Sequence, residues 1–337
     1  MRLSGLDYSS RIFLYAPIGL FLLIVFGVCV SWWLAADALS AHLKALNGRE
    51  IAPGITLYYG TSRIAGFPFN LDTDMRDVTF TIATPHGPAQ WHADRFAMHS
   101  LTYGPDETLF EAAGQQVVHW TRDDGKGRTL TFAVGSLRAS ATRSRGLLRR
   151  FDLDIVGFGS RLFTAQRLQF HLRRDASALD LFATVEDLRF APGQAPDLGG
   201  QIPTARFSGQ LAAAGALDGL LSGSERWTAS VDQWRQKSGV LQLDEVMLEW
   251  SGLHLKGHGA LKLDTGHRPQ GGIAFHIEGL AALRGHAAKL ARGPNNGLAA
   301  ALLDRAGPAT RLDTTLGFDN GLVTVGGEPA DTVSKLY

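Results

Sequence analysis

The sequence predicts a mainly β protein: an N-terminal transmembrane helix followed by a large antiparallel curved sheet or sandwich with a few short helices. Three observations predict it. Residues 12–36 carry no charge. From Ile51 onward, apolar and polar residues alternate in short runs. Glycine makes up 39 of 337 residues, which suits a chain with many turns. The rest of the composition narrows the function. A formal net charge of +1 lacks the basic excess of a nucleic-acid binder, so no nucleic-acid partner is expected. The single cysteine, Cys29, rules out an intramolecular disulfide framework and any multi-cysteine metal site.

The uncharged run lies between Arg11 and Asp37. As a helix it spans about 37 Å, enough for a hydrocarbon core of about 30 Å with some tilt. A helix satisfies its own backbone groups in lipid, where no water can. Pro17 falls in the first turns, where it is tolerated. Trp32 and Trp33 stand near the far end, at the depth amphipathic rings favour, and Tyr8 and Tyr15 stand near the other. A cleaved signal peptide is the rival reading, because Ala36-Asp37-Ala38 has the small-x-small form of a cleavage site. The run exceeds the usual signal length of about 7–15 residues, which favours an uncleaved anchor. A lipoprotein signal ending at Cys29 is discounted, since Val28 rather than a small residue precedes it. Lys and Arg are balanced on the two flanks, so charge does not set the orientation. The short leading tail and long following domain resemble a signal anchor.

The chain thus divides into a cytoplasmic tail (1–11), an anchor (12–36), a helical stalk (37–50) and a β-rich exported domain (51–337). A candidate subdivision falls at the Pro-rich loop near 191–203. In the stalk, Leu39, Leu43 and Leu46 recur at helical spacing, and Asn47-Gly48 is a stop. In the domain, Val78, Phe80 and Ile82 alternate with polar or small residues. So do Leu130 to Val134, Phe151 to Ile155, Leu168 to Leu172, Leu253 to Leu255 and Ile273 to Ile277. Such runs are antiparallel strands with one apolar face. Asp123-Asp124-Gly125 and Asp319-Asn320-Gly321 read as hairpin turns. Residues 224–237 read as a helix that Ser224 could cap, and 279–292 with 296–305 as a helical hairpin around Gly293-Pro294.

Several short motifs then occur in order. Gly66-Phe67-Pro68-Phe69 leads to Trp91, Arg95-Phe96 and Leu101. Trp234, Gly239-Val240-Leu241 and Glu249-Trp250-Ser251-Gly252-Leu253 come later. Gly259 to Asp264, Gly271-Gly272 and Asp319 to Gly326 close the series. Together they resemble an uncharacterised bacterial family, the domain of unknown function numbered twenty-one twenty-five, found mainly in alphaproteobacteria. The resemblance implies single-anchor proteins with a β-rich exported domain, distantly similar to AsmA-like envelope proteins. It implies an inner-membrane location with the C-terminal domain in the periplasm. It carries no catalytic residues with it.

No catalytic, cofactor-binding or metal-ligating set emerges from the residues themselves. His254 and His258 share a strand face about 13 Å apart, too far for one metal. Asp152 and Asp154 share a face about 7 Å apart and suit a solvated strand surface. The basic cluster Arg138, Arg143, Arg145, Arg149 and Arg150 reads as a solvated loop, with contact to lipid headgroups or an anionic partner as the alternative. No nucleophile elbow, P-loop, dinucleotide fingerprint or HExxH motif is present, so no enzyme and no cofactor are expected. The expected function is an envelope protein that binds or transfers lipid, or supports outer-membrane homeostasis. Its expected partners are membrane lipids and envelope proteins. Candidate contact residues for lipid or partner are Phe67, Phe69, Phe80, Ile82, Phe132, Phe170, Trp250 and Phe275; for Gly66-Phe67-Pro68-Phe69 the plainer reading is a bend set by Gly66 and Pro68 with both rings buried in the core. The alternative is a non-catalytic structural or interaction module with a closed sandwich and no lipid ligand.

Overall fold

Helix α1 (Tyr8–Leu46) runs without a break through the anchor and the stalk, about 58 Å at 1.5 Å per residue. The computed structural model describes residues 8–102, 104–122, 124–194, 199–285 and 296–337. Residues 15–27 of α1 are all exposed, as an apolar helix made for lipid would be. The last turns are different. Leu43 is buried against Leu57, Met75 and Phe96, with Leu39 beside it. The stalk is therefore docked on the domain rather than standing free of it. Asn47 ends the helix where the sequence suggests, its side chain donating to Tyr59 O and accepting from Tyr59 N, both at 3.0 Å. Strand β1 (Arg49–Ala52) follows at once, two residues before the expected stalk boundary.

The domain is one antiparallel sheet of eighteen strands among the described residues. Its first part comprises β2 (Ile55–Tyr58), β3 (Thr61–Ala65), β4 (Asn70–Thr84), β5 (Gly87–Leu101), β6 (Gly104–Thr121), β7 (Gly127–Ala133), β8 (Ser136–Ser144) and β9 (Leu147–Ser160). Next come β10 (Phe163–Asp175), β11 (Ala178–Phe190), β12 (Gln201–Leu211), β13 (Leu241–Trp250), β14 (Leu253–Leu263) and β15 (Pro269–Glu278). The last are β16 (Arg311–Asp319), β17 (Leu322–Val325) and β18 (Glu328–Thr332). The chain meanders, so neighbours in sequence are mostly neighbours in the sheet. Two places depart from this. Strands β2 and β3 both pair with β4, and β6 pairs with β8 over its first half and β7 over its second. The ladder continues from β11 to β12 across the Pro-rich connection, with Leu179 opposite Leu211 and Arg189 opposite Gln201.

A crease crosses the sheet. Asp77 in β4, Gly114 in β6, Gly157 in β9 and Asp187 in β11 all have positive φ. Pairing stays in step on either side of this line: Met75 opposes Phe96 and Val78 opposes Ala93, while Ile155 opposes Leu168 and Phe158 opposes Ala165. One left-handed residue shifts which side chains point inward, so buried apolar positions fall three apart at the crease instead of two. Beyond it, Phe132, Phe158 and Ala165 form their own core cluster, with Phe163 and Leu188 against them.

Short helices cover parts of the apolar face. Between β12 and β13 lie a 3-10 turn (Ala214–Leu217), α2 (Asp218–Ser222) and α3 (Trp227–Gln236). They bury Leu217, Leu221 and Trp234 against Leu179, Leu172 and Leu211. The Ala-rich stretch before α2 was not read as helical. Helix α3 starts later than expected, at Trp227, and Ser224 makes no cap; Glu225 instead accepts from Ser230 and Gln233. Of the expected helical hairpin, α4 (Leu280–Gly285) and α5 (Asn296–Ala306) are seen, and the turn at Gly293-Pro294 lies outside the described residues. The expected strand runs fall in β4, β7, β9, β10, β14 and β15. The Asp319-Asn320-Gly321 turn joins β16 to β17. The β6–β7 turn stands where expected, although Asp123 lies outside the described residues.

Candidate functional site

Strand pairing aligns the apolar residues of twelve strands into continuous rows. One row reads Met75, Phe96, Ala112, Leu137, Ile155, Leu168, Val185, Ala205, Leu248, Leu255, Ile277, Leu312, each opposite the next. All twelve are apolar. The adjacent row includes Met98, Phe110, Ala139, Leu153, Phe170, Ala183, Phe207 and Val246, then Gly257 and Phe275. Gly257 leaves room for the neighbouring ring, since a β-carbon there would lie 2.4 Å from Phe275. The opposite face, one residue along, carries Asp74, Glu111, Arg138, Asp154, Gln169, Thr184, Arg206, Lys256, His276 and Asp313 on ten strands, with Ala97 on β5 and Met247 on β13. The period of two thus sorts most of the sheet into one oily and one charged face.

Cover over the apolar face is uneven. At one end Met75, Phe96 and Ala112 are buried under Leu39 and Leu43 of α1. At the other, Ile277 and Phe275 are buried with Leu280, Leu302 and Leu303 of α4 and α5. Between them, Leu137, Ile155, Leu168, Val185, Ala205, Leu248 and Leu255 are only half-buried. Leu153, Phe170 and Ala183 in the next row are half-buried too. The result is an apolar trough across β8 to β14, closed at its two ends and along one edge by helices.

The eight expected contact residues do not gather in one place. Phe170 lies in the trough, its ring 6.3 Å from that of Phe151. Phe80 stacks on Trp91 at 5.5 Å near the α1 end. Phe132 and Phe275 are core residues, each only 9% exposed, and Phe132 stacks on Phe158 at 4.9 Å. Trp250 is half-buried and donates from Nε1 to Gly199 O at 3.1 Å. Ile82 lines a separate cavity of about 280 Å³, shared by the β1–β2 hairpin with Leu220 and Trp227 of the helical insert. That shared cavity brings the first strands beside helices packed on β9 to β14, so the sheet curls strongly; accumulated strand twist accounts for such curling. Phe67 and Phe69 stand outside the trough, on the β3–β4 loop. Leu137, Val185, Ala205 and Leu248 were missed as trough residues, because only strand register places them in line.

The charged face is held by ion pairs. Arg167 reaches both oxygens of Asp154, at 2.7 and 3.0 Å. Asp152 accepts from Arg150 and His171, each at 2.6 Å, and from Ser140 at 3.3 Å. Burial pushes the Asp152 carboxyl up, and the hydrogen bonds from His171 and Arg150 outweigh it, leaving it below the usual carboxylate range. This trio has the side chains of a hydrolytic triad but not its order. Ser140 donates to the carboxylate rather than to the imidazole, so the histidine is not placed to take its proton. His254 and His258 are both exposed on this face. Among the described residues no group of three His, Cys, Asp or Glu side chains is placed to hold a metal ion. The insert is tied down by similar pairs: Asp232 is held to about 2 by hydrogen bonds from His267 and Arg235, and Asp218 pairs with the buried Arg174.

A model of an uncharacterised protein family conserved in bacteria, DUF2125, matches residues 32–331. The chain belongs to the DUF2125 family. The match begins at Trp32, inside α1, and takes in every strand of the sheet up to β18. It covers both the trough and the β3–β4 loop, so the features described above belong to the DUF2125 region. No curated protein matches this DUF2125 chain.

Proposed function

We propose that this DUF2125 protein is a single-pass inner-membrane protein whose periplasmic domain binds or transfers lipid. Its trough shelters acyl chains. The observation that carries the reading is the unbroken row of twelve apolar residues whose middle stretch is covered by no helix among the described residues. Each methylene buried there gains about 0.8 kcal/mol, so a single acyl chain laid along the row is a substantial ligand. Helix α1 supports the same reading: an exposed, uncharged helix next to the domain holds the trough near a lipid source. The protein does no chemistry in this reading, and its partners are membrane lipids and the envelope proteins that receive them.

Native mass spectrometry of the detergent-extracted full chain tests it. The expected spectrum shows co-purified phospholipid, lost on Leu168→Gln with Phe170→Gln while the domain stays folded. A lipid-free spectrum from the unaltered chain would instead favour a structural module without a ligand. Protease protection of spheroplasts tests the side: the domain should be cut from outside the inner membrane.

A further inference from the structure

The motif Gly66-Phe67-Pro68-Phe69 joins β3 to β4 as a tight turn. Asn70 N donates to Gly66 O at 2.8 Å, and Thr102 holds Phe69 O through both its N–H, at 2.9 Å, and its hydroxyl, at 2.7 Å. From sequence alone, this bend is expected to put both aromatic rings in the core. It does the reverse. Phe67 is 56% exposed and Phe69 57% exposed.

The loop stands beside α1 at one particular level. Trp32 donates from Nε1 to Asn70 O at 2.7 Å, and its ring meets Phe67 edge-on at 5.4 Å. The next residue, Trp33, is 63% exposed. Counting from Ile12, where the uncharged run begins, Trp32 lies about 30 Å along the helix, one hydrocarbon thickness away. That is the depth at which tryptophan rings settle into the headgroup layer. Leu39 and Leu43, two to three turns further on, fix α1 to the sheet, so the loop cannot drift from this level without undocking the helix.

We infer that the Phe67-Pro68-Phe69 loop is a second membrane contact, seated in the headgroup layer where α1 emerges. The inference rests on the reading of α1 as an anchor and adds to it. One helix alone leaves the domain free to rotate and tilt. Helix, Trp33 and the two phenylalanines together make a broad aromatic foot that sets the domain upright on one leaflet. The surface is continuous with the lipid-facing side of α1, and that continuity selects lipid over a protein partner.

Spin-label accessibility in nanodiscs of phosphatidylethanolamine and phosphatidylglycerol tests it. The full chain carries Cys29→Ala and one label, at Phe69→Cys, at Leu22→Cys in α1, or at Lys126→Cys in the β6–β7 turn. The Leu22 label should collide with oxygen and not with a water-soluble nickel chelate. The Lys126 label should show the opposite. The Phe69 label should lie between them, with an oxygen-to-nickel ratio several-fold above that of Lys126. A Phe69 label matching Lys126, with Leu22 still in lipid, overturns the loop contact and leaves the anchor standing. A Phe69 label shielded from both reagents overturns it in favour of a second copy covering the loop. A water-exposed Leu22 label overturns the anchor and the loop contact together. Both phenylalanines are exposed, so the substitution spares the core.

Discussion

The two ends of the apolar row and its middle are built from the same residues and differ in what lies above them. Met75 and Phe96 are 1% and 7% exposed beneath α1, and Ile277 is 2% exposed beside α4 and α5. Leu137, Leu168 and Val185, in register with them, are half-buried. Strand sequence therefore does not decide burial here. An apolar sheet face becomes core only where something packs on it, and at both ends of this row that is a helix. Among the described residues the chain supplies helices at the ends and along one edge, and leaves the centre only half-buried. Cover at the ends stabilises the domain; on the reading proposed above, the half-buried centre is what receives a ligand.

The sharpest way to break that comparison is to make one change in both regions. Phe275→Ala removes a ring buried among Leu243, Ile273 and Leu280, and should cost about 3–5 kcal/mol. Phe170→Ala removes a half-buried ring from the middle of the row, and should cost less than half as much. Urea unfolding in detergent measures both. Equal costs would mean that the middle is as tightly packed as the ends, and the trough would be a closed core. Excess phospholipid should protect the unaltered chain and not the Phe170→Ala variant, since a ligand stabilises only the state that binds it.

The sheet was legible because its strands alternate, and alternation needs no knowledge of partners. Phe151, Leu153 and Ile155 announce β9 by themselves. The trough was not legible in the same way. Val185 and Ala205 become parts of one surface only once β11 and β12 are placed in register. The crease was hidden for a related reason. At Asp77 and Asp187 an ordinary aspartate takes positive φ, and the apolar pattern slips from Met75 to Val78 and from Val185 to Leu188. A period-two reading loses the strand at that point. Alternation alone puts Phe132 on an apolar strand face; its partner Phe158, just past the same slip, makes it core. The β3–β4 loop was singled out from sequence, but its neighbour Trp32 lies in the helix, 38 residues before Asn70.

The crease offers a smaller test, since it divides the trough from the cluster around Phe132 and Phe158. Gly157 has φ of +66° and would carry a side chain only at a cost of about 1–2 kcal/mol. Gly157→Ala should therefore lower the unfolding free energy by that amount and loosen the Phe132–Phe158 stack. Amide exchange should quicken in β7 and the end of β9 while β14 and β15 stay protected. Uniform quickening across the sheet would show that crease and trough unfold as one unit.

The smallest effect expected lies on the charged face, where the two regions respond to opposite ends of the pH scale. At the helix-covered end, His276 Nδ1 stands 2.6 Å from Asp313 and Nε2 3.5 Å from Glu278. The hydrogen bond to Asp313, then that to Glu278, raises the imidazole above its ordinary 6.5. A raised value in the folded state means that the pair stabilises fully below 6.5 and stops doing so as pH climbs through the folded value. Beneath the trough, Asp152 is shifted down from 3.8, so its pairs stabilise above that pH and fail as acid takes the folded carboxyl. His276→Gln should then lower Tm slightly in mildly acidic buffer and leave it unchanged in alkaline buffer. Asp152→Asn should lower Tm at neutral pH and converge on the parent only in strong acid. The contrast breaks if His276→Gln costs the same at both pH values, because the imidazole would then act by packing rather than by its charge.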